Sequence, residues 1–535
     1  MRYDLTYRSI PGLVRAAAVQ WGDEIYLVDG DEQWSFRDLE ARMIDLARGL
    51  IALGIQPGDR VALCAPNSAR WVQAATAVHA VGGVLVPLST RFKADELRHI
   101  LDSSGAKAVL AVDTFAGNDY VQIITDATSR SAAPAGLVLI EGAAREGALT
   151  LDELVERGAS VLPQVVLDRI DAISPDDVAD ILFTSGTTGR AKGVPLGHGQ
   201  SLQAYGWLSE MFTYRARETF AIIPPFFHGF GYKAGWLAGL LRGLRIIPIS
   251  TFEPLTLLET IQREGVNLLN GPPAVFIDLM NHPRRDEFDL SSLRVGTTGA
   301  ATIPLKVITD MRERLGLEVV VNAYGLTEST ALVSTSRPGD DPERVATTVG
   351  RAADGLEVIV VDDDGVAVEP GVSGEIWVRG YTVMRGYWND DAATAEAITP
   401  EGFLRTGDIG VLDDDGFIRI TDRKKDLFIV GGFNAYPAEI EAILLRCPGI
   451  HNIAVVGAPD ERMGEVGWAF VVREPDADLT EGDVVSFARA HLANFKVPRR
   501  VVFLDDLPRT PSLKVTKEPL RELVSTLSSI RAGQG

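Results

Sequence analysis

The sequence predicts an α/β protein: helix-covered, largely parallel sheets, then a barrel-like subdomain, then a small α+β unit. Three observations carry this. β-Branched runs alternate with helix-like stretches up to about residue 350. Short strands separated by DDDG turns then take over, and from Asp426 a compact stretch of strands and helices follows. At 535 residues the chain exceeds what one hydrophobic core usually organises, so at least two domains are expected.

In chain order, Leu39–Leu53 has the apolar spacing of an amphipathic helix and ends at Gly54. Val61–Cys64 and Gly83–Pro87 are predicted buried strands with the helix Ala69–His79 between them. Ala108–Val112, Gly136–Ile140, Ile181–Thr184, Val266–Asn270 and Glu318–Val321 repeat the strand pattern. Strands that alternate with helices imply parallel, helix-covered sheets. Ser129–Ala135 and Gly142–Gly147 are predicted surface loops. Beyond Gly350, strands are predicted at Val358–Val361, Gly374–Val378, Gly410–Leu412 and Phe417–Ile420, with turns at Asp362–Gly365 and Asp413–Gly416. In the last unit the strands are Leu427–Val430, Ile453–Val456 and Ala469–Val472, and the helices Ala438–Arg446 and Gly482–Asn494.

The composition, 46% hydrophobic and 23% charged, is that of a soluble globular chain. Acidic residues outnumber basic ones 73 to 52, for a formal charge of −21. Such a surface repels phosphate backbones and anionic lipid, which argues against nucleic-acid or membrane-surface binding. A local nest of Lys and backbone N–H groups can still hold an anion. Cys64 and Cys447 are far apart and lack a metal-ligand pattern, which suits a reducing cytoplasm. The apolar window Trp236–Ser250 is interrupted by Arg242 and Arg245, and no stretch reaches the ~20 residues of a membrane span. The expected location is the cytoplasm.

The sharpest local feature is FTSGTTGRAKGV at Phe183–Val194. An apolar strand runs into Thr184, Ser185, Gly186, Thr187, Thr188 and Gly189, with Lys192 close behind. Glycines let a backbone approach a ligand closely, and the hydroxyls, N–H groups and ammonium can then surround phosphate oxygens. Lys192 is followed by Gly193, so the Walker A pattern is not satisfied and an ordinary P-loop kinase or GTPase is disfavoured.

This loop resembles the signature phosphate loop of adenylate-forming enzymes: acyl-CoA synthetases, peptide-synthetase adenylation domains and firefly-type luciferases. The family's other motifs follow in order, as AYGLTE at Ala323–Glu328, RTGD at Arg405–Asp408, DRKKDLFIVGGFNAYPAEIE at Asp422–Glu441 and PRTPSLK at Pro508–Lys514. The resemblance covers essentially the whole chain. It implies a large N-terminal domain of two sheets plus a β-barrel (residues 1–424, with the barrel-like part from about 350), a hinge at Lys425, and a mobile C-terminal domain over 426–535.

The resemblance also implies roles. Tyr324 stacks on adenine while Ala323, Gly325 and Thr327 surround the base. Asp408 accepts the ribose hydroxyls, and Arg423 contacts the ribose and phosphate region. Glu328 ligates Mg²⁺ on the phosphates, with Thr184 a second ligand, since hard cations prefer oxygen donors. Lys514 is the catalytic cation that bridges the attacking carboxylate and the α-phosphate. Leu513 stands where the family usually has Gly, and Lys517, three residues on, is a competitor. After rotation about Lys425, Gly431, Gly432 and Phe433 line the entrance for coenzyme A. A plain β-turn is the other reading of GGFN.

For the acid, PPFFHGFGYKAG at Pro224–Gly235 resembles the family's acyl-pocket segment. His228, Gly229 and Tyr232 are expected on one wall, with Thr298, Gly299, Ala300, Leu326 and Thr330 opposite. Amino-acid-activating relatives normally carry an Asp here, and this chain has Phe227–His228, which argues against an α-amino acid. Taken together, PFFHGFGYKAG, TGAATIP, AYGLTE, GGFNAYPAEIE, GEVGWAFVV and HLANFKVPR resemble bacterial acyl-CoA synthetases of the steroid-degradation type, ligases for a propanoate on an indane-dione ring remnant. The implied reaction takes a small carboxylic acid, ATP with Mg²⁺, and CoA, and a homodimer is the assembly expected. A medium- or long-chain fatty acid, or transfer to a carrier protein, stays open at this stage, as does luciferase-like oxidation.

Overall fold

A computed structural model of the chain describes residues 7–129, 136–184, 191–299, 303, 305–423, 426–430, 433–460, 463–492, 494–509 and 515–532. Its helix starts are set by capping side chains. Ser35 accepts from Asp38 N–H, and the Asp38 carboxylate accepts from Ser35 N–H, so the helix expected from Leu39 begins at Phe36 and runs to Ala52. Ser68 caps Ala69–Ala80 through the Trp71 N–H, and Thr480 with Asp483 closes the same box on Glu481–His491.

The largest sheet has nine strands. Six run parallel, in the spatial order Val319–Tyr324, Val295–Gly299, Val266–Asn270, Thr219–Ile222, Arg245–Pro248 and Ile25–Asp29. Antiparallel Glu32–Ser35 closes one edge, and Ser334–Thr335 with Arg351–Ala352 closes the other. At that second edge Gly350 is obligatory: its φ is +76°, and a Cβ there would lie 1.9 Å from the Thr335 backbone.

A second, seven-stranded sheet runs in the order Lys192–Gly197, Val178–Thr184, Val84–Pro87, Arg60–Cys64, Ala108–Val112, Gly136–Glu141, Leu149–Thr150. It is parallel except for the hairpin of its first two strands. The strands are buried on both faces, which explains their unbroken β-branched runs. One core joins the two sheets, and within it the Trp71 ring contacts Phe226, Tyr232 and Trp236 at centroid separations of 5.5, 5.7 and 6.1 Å.

The barrel-like subdomain is a half-barrel, one antiparallel sheet of Leu356–Val361, Ser373–Gly380, Leu404–Leu412 and Ile418–Arg423 in that order. Beyond it, Phe428–Val430, Phe433–Ala435, Ile450–Asp460, Gly464–Arg473 and Arg500–Phe503 form a five-stranded sheet. Helices Pro437–Leu444, Glu481–His491 and Glu518–Ala532 accompany it. This last unit has its own core, which contains Phe428, Val455, Phe470, Val484 and Val524. No described helix is long and apolar enough to cross a membrane.

Candidate functional site

The parallel strands of the nine-stranded sheet all end on one side. Thr219–Ile222 runs on into Pro224–His228, Val266–Asn270 into Gly271–Pro273, Val295–Gly299 into Ala300, and Val319–Tyr324 into Gly325–Thr330. Loops at the carboxyl ends of parallel strands are where open α/β sheets bind ligands. In the neighbouring sheet, the strand Val178–Thr184 ends where the sequence of the candidate phosphate loop begins.

Thr184 and Lys192 are cross-strand partners in the hairpin that brackets this loop in sequence. Ser185, Gly186, Thr187, Thr188 and Gly189 lie outside the described residues. The Lys192 Nζ stands 5.0 Å from the centroid of the Tyr387 ring, and the Tyr387 hydroxyl donates 2.9 Å to Oε1 of Glu328. Backbone bonds fix both ends of this chain: Met384 N–H donates to the Glu328 carbonyl, and Trp388 N–H to that of Gly193, each at 2.8 Å. Burial and the adjacent Glu328 charge push the Tyr387 phenol well above its ordinary range, so it stays a donor. Tyr387 escaped the sequence reading because YW in a polar stretch carries no spacing signal.

Glu328 sits in the one-turn 3₁₀ helix Thr327–Ser329, followed by Thr330 and Ala331 at φ of +56° and +60°. Two successive non-glycine residues in the left-handed region hold local strain of the kind that collects at ligand sites. The turn is pinned by its neighbours. Ala331 N–H donates to the Leu326 carbonyl at 2.7 Å, and a Cβ on Gly325 would meet the Ala331 backbone at 2.2 Å.

The residues expected at the nucleoside end are also held together. The Tyr324 hydroxyl donates to Oδ2 of Asp408 at 2.5 Å, and both residues are buried. Asp408 is paired across the half-barrel with Arg423, on adjacent antiparallel strands. Arg423 and Phe433 are described through their backbones alone, and Ala300, Lys425, Gly431, Gly432 and Lys514 lie outside the described residues. The competitor of Lys514 does have a place: Lys517 makes a 2.8 Å ion pair with Glu441, a carboxylate that also accepts from Val455 N–H.

On the acyl side, Gly229 packs so closely that a Cβ would lie 2.6 Å from the Ala331 methyl, which brings His228 and Gly229 against the Leu326–Ala331 turn. The His228 ring leans on Phe227 at 4.6 Å. Thr298 is buried and its hydroxyl has no partner among the described residues, while Gly299 lies beside the Ala323 carbonyl. Two expected wall residues face elsewhere. Thr330 donates its hydroxyl to the Thr382 carbonyl at 2.7 Å and supports the turn from behind. Tyr232 is fully buried with its hydroxyl directed to Asp180 and His79, so it belongs to the core beneath the wall. The resemblance of Pro224–Gly235 to an acyl-pocket segment implied only its proximity. The Asp180 and His79 that draw the hydroxyl inward are invisible at that level.

Comparison with known proteins places this geometry. The profile described as AMP-binding enzyme matches residues 14–388, and that described as AMP-binding enzyme C-terminal domain matches residues 439–514. The chain is 44% identical, over 96% of its length and 99% of the relative's, to 3-[(3aS,4S,7aS)-7a-methyl-1,5-dioxo-octahydro-1H-inden-4-yl]propanoyl:CoA ligase of Mycobacterium tuberculosis. To the ligase of the same name from Rhodococcus jostii it is 43% identical, over 96% of this chain and 98% of that one. Its fold is similar to that of o-succinylbenzoate CoA synthetase from Bacillus subtilis, solved with its acyl-adenylate intermediate. The TM-score is 0.81 at 28% identity, covering 95% of this chain and 97% of that one. By sequence profile, end-to-end identity and fold, the chain belongs to the AMP-binding enzyme family, as an AMP-forming acyl-CoA ligase.

Proposed function

We propose that the acid this ligase activates is the propanoate side chain of a fused two-ring dione of the indane type. The observation that carries the reading is identity above 40% along almost the whole chain to two ligases named for that acid. The acyl segment agrees with it: Pro224–Gly235 offers no carboxylate to pair an α-ammonium, and its small residues lie against a rigid turn.

The residues divide the work as follows. Thr184, Lys192 and the loop between them clamp the β- and γ-phosphates and hold the departing pyrophosphate. Asp408 takes the ribose hydroxyls, and Tyr324, which shares a hydrogen bond with it, stacks on the base. The acid lies between His228–Gly229 and the Thr298–Gly299 strand end, with its carboxylate directed at the α-phosphate. There a carboxylate oxygen displaces pyrophosphate to form acyl-AMP, and Lys514 neutralises the converging anions. Rotation at Lys425 then removes Lys514 and admits CoA past Gly431–Phe433. The thiolate attacks the acyl carbonyl and AMP leaves. No cluster of three metal-ligating side chains occurs among the described residues. That fits Mg²⁺, which is commonly held by one or two carboxylates plus substrate phosphates. Glu328, oriented by Tyr387, and Thr184 would supply the protein's share, and the ion would neutralise phosphate charge. We place the enzyme in the cytoplasm, where ATP and CoA are at hand.

The test is pyrophosphate release and thioester formation across a panel of acids, with and without CoA. The dione propanoate should give the highest kcat/KM. A linear medium- or long-chain acid that equals it would refute the substrate assignment, and acyl-AMP without thioester in the presence of CoA would redirect the transfer step to a carrier protein.

A further inference from the structure

Beneath the acyl wall lies a polar cluster that none of the roles above uses. Lys233, Asp180, Ser201 and Tyr232 are each fully buried, with His79 and His198 against them. The Lys233 Nζ lies 2.9 Å from Oδ2 of Asp180 and 2.6 Å from the Ser201 hydroxyl, and the Tyr232 hydroxyl donates to the same Asp180 oxygen at 3.3 Å. Oδ1 of Asp180 and Nδ1 of His79 find no partner among the described residues. Burial pulls both members of the ion pair toward neutrality, the carboxyl upward and the ammonium downward, against their mutual attraction. Two desolvated charges with one carboxylate oxygen unpaired stabilise a fold poorly, and an apolar pair of similar volume usually does as well or better. The pair therefore calls for a reason other than stability.

Its connections supply one. Asp180 is in the strand Val178–Thr184, hydrogen-bonded on both sides, whose last residue opens the phosphate loop. Ser201 is in the helix His198–Met211, which begins where the return strand Lys192–Gly197 ends, and its hydroxyl donates back to the Gly197 carbonyl at 3.0 Å. One ammonium thus reaches one limb of the hairpin directly, through Asp180, and the other through Ser201 and the Gly197 carbonyl. Lys233 itself lies five residues beyond His228, in a helical stretch that kinks at Gly235, where φ is −96° and ψ −105°.

We infer that Lys233, held by Asp180 and Ser201, is a positioning residue that sets the acid-binding segment relative to the phosphate loop, so that carboxylate and α-phosphate meet in register. This rests on the adenylation reading of the site, not on which acid is used. A displacement of about 1 Å between two reacting groups can lower a rate about 100-fold, so even a small loss of registry is measurable. The consequence is confined to one half-reaction: adenylation needs both anchors at once, whereas thioester formation starts from acyl-AMP with the pyrophosphate gone.

The experiment compares wild type with Lys233→Met, Asp180→Asn and the double variant. It uses whichever acid the wild type activates fastest, so a wrong substrate assignment does not affect the result. Each single change leaves an uncompensated group and should lower Tm, and the double variant should recover most of that loss. In the double variant kcat/KM for pyrophosphate release should fall about 10- to 100-fold, while thioester formation from supplied acyl-AMP stays near wild type. Wild-type rates in both half-reactions, or equal losses in both, would overturn the inference. If the double variant does not fold, hydrogen exchange on the wild-type enzyme decides. A non-hydrolysable ATP analogue with Mg²⁺, without acid, should slow amide exchange across residues 226–237, and no change there would overturn it.

Discussion

Tyr387→Phe isolates one hydrogen bond in the proposed metal and phosphate region. The hydroxyl donates 2.9 Å to Glu328, and the ring beneath it lies 5.0 Å from the Lys192 ammonium. Phe keeps the ring and removes only the donor. A hydrogen bond to a charged acceptor contributes about 1.5–3 kcal/mol, and the half-buried position keeps water from replacing it fully. At 1.4 kcal/mol per tenfold, Glu328 released from this bond should weaken productive MgATP binding by about 10- to 100-fold. Tyr387→Leu also removes the cation–π contact and should lose a further about 0.5–1 kcal/mol, a factor of about 2–5. The assay is pyrophosphate release at saturating acid, with Mg²⁺ and ATP titrated against each other. The defect should appear as a raised KM for MgATP and a shifted Mg²⁺ requirement, with the KM for acid unchanged. Because burial and Glu328 keep the phenol protonated, the ratio of variant to wild type should be flat through neutral pH. A Phe variant with wild-type MgATP and Mg²⁺ dependence would refute the assignment of Glu328 to the nucleotide's metal.

Three further outcomes are expected. Lys514→Ala should sharply reduce pyrophosphate release yet spare thioester formation from supplied acyl-AMP, whereas Lys517→Ala, which loses the ion pair with Glu441, should show as a Tm change with the half-reactions still in balance; the reverse pattern would move the catalytic role to Lys517. Burial, with the Lys233 charge adding to it, pushes the His198 imidazole down to about 3, and the ring accepts from Ile10 N–H at 3.3 Å among His79, Tyr232, Asp180 and Lys233. A group held neutral in the fold stabilises it fully above its unfolded pKa of about 6.5, and that contribution is lost as pH falls toward the folded value, reaching about 2 kcal/mol at pH 5 from this residue alone. Thermal melts at pH 7.5 and 5 should therefore converge in His198→Gln, and an unchanged pH dependence would exclude His198 as a source. Gly229→Ala inserts a methyl 2.6 Å from that of Ala331 and should cost about 1–3 kcal/mol while raising the KM for acid more than that for ATP. Gly206→Ala, in a helix with nothing within 4 Å of the added carbon, is its control and should gain about 0.5–1 kcal/mol in a denaturation assay.

The family was legible in the sequence because its motifs are local, the candidate phosphate loop first among them. A strand that breaks into Thr, Gly and Ser reads as a cradle on its own, and the strands that deliver it are unbroken apolar runs. Helix boundaries missed by a few residues where a capping box outweighed apolar spacing, as at Ser35–Asp38. The hairpin Ile25–Asp29 with Glu32–Ser35 went unseen because five- and four-residue strands around Asp-Gly-Asp carry little periodicity. Tyr387 and the Lys233–Asp180 pair were illegible for a different reason. Each acts through a partner more than fifty residues away, and only the packed sheets bring the two together. Tyr232 is the sharpest case: the motif placed it beside the acid, and a buried carboxylate from another strand turned it away.

The same distinction explains why the motifs define the chemistry more firmly than the acid. In the proposed site, triphosphate and ribose would be met by groups that belong to short segments. The acid would be met by strand ends between Pro224 and Thr330, whose mutual spacing belongs to the whole sheet. Hydrogen bonds then tie that sheet to the half-barrel: Tyr324 to Asp408 across 84 residues, Tyr387 to Glu328 across 59, and Thr330 to Thr382 across 52. Each runs between a loop at the strand ends and a segment on the way to residue 425. Asp408, at the far end of the first tie, is the cross-strand neighbour of Arg423, two residues before the proposed hinge. A ribose bound by Asp408, as proposed, would therefore sit beside the strand that leads to the proposed hinge.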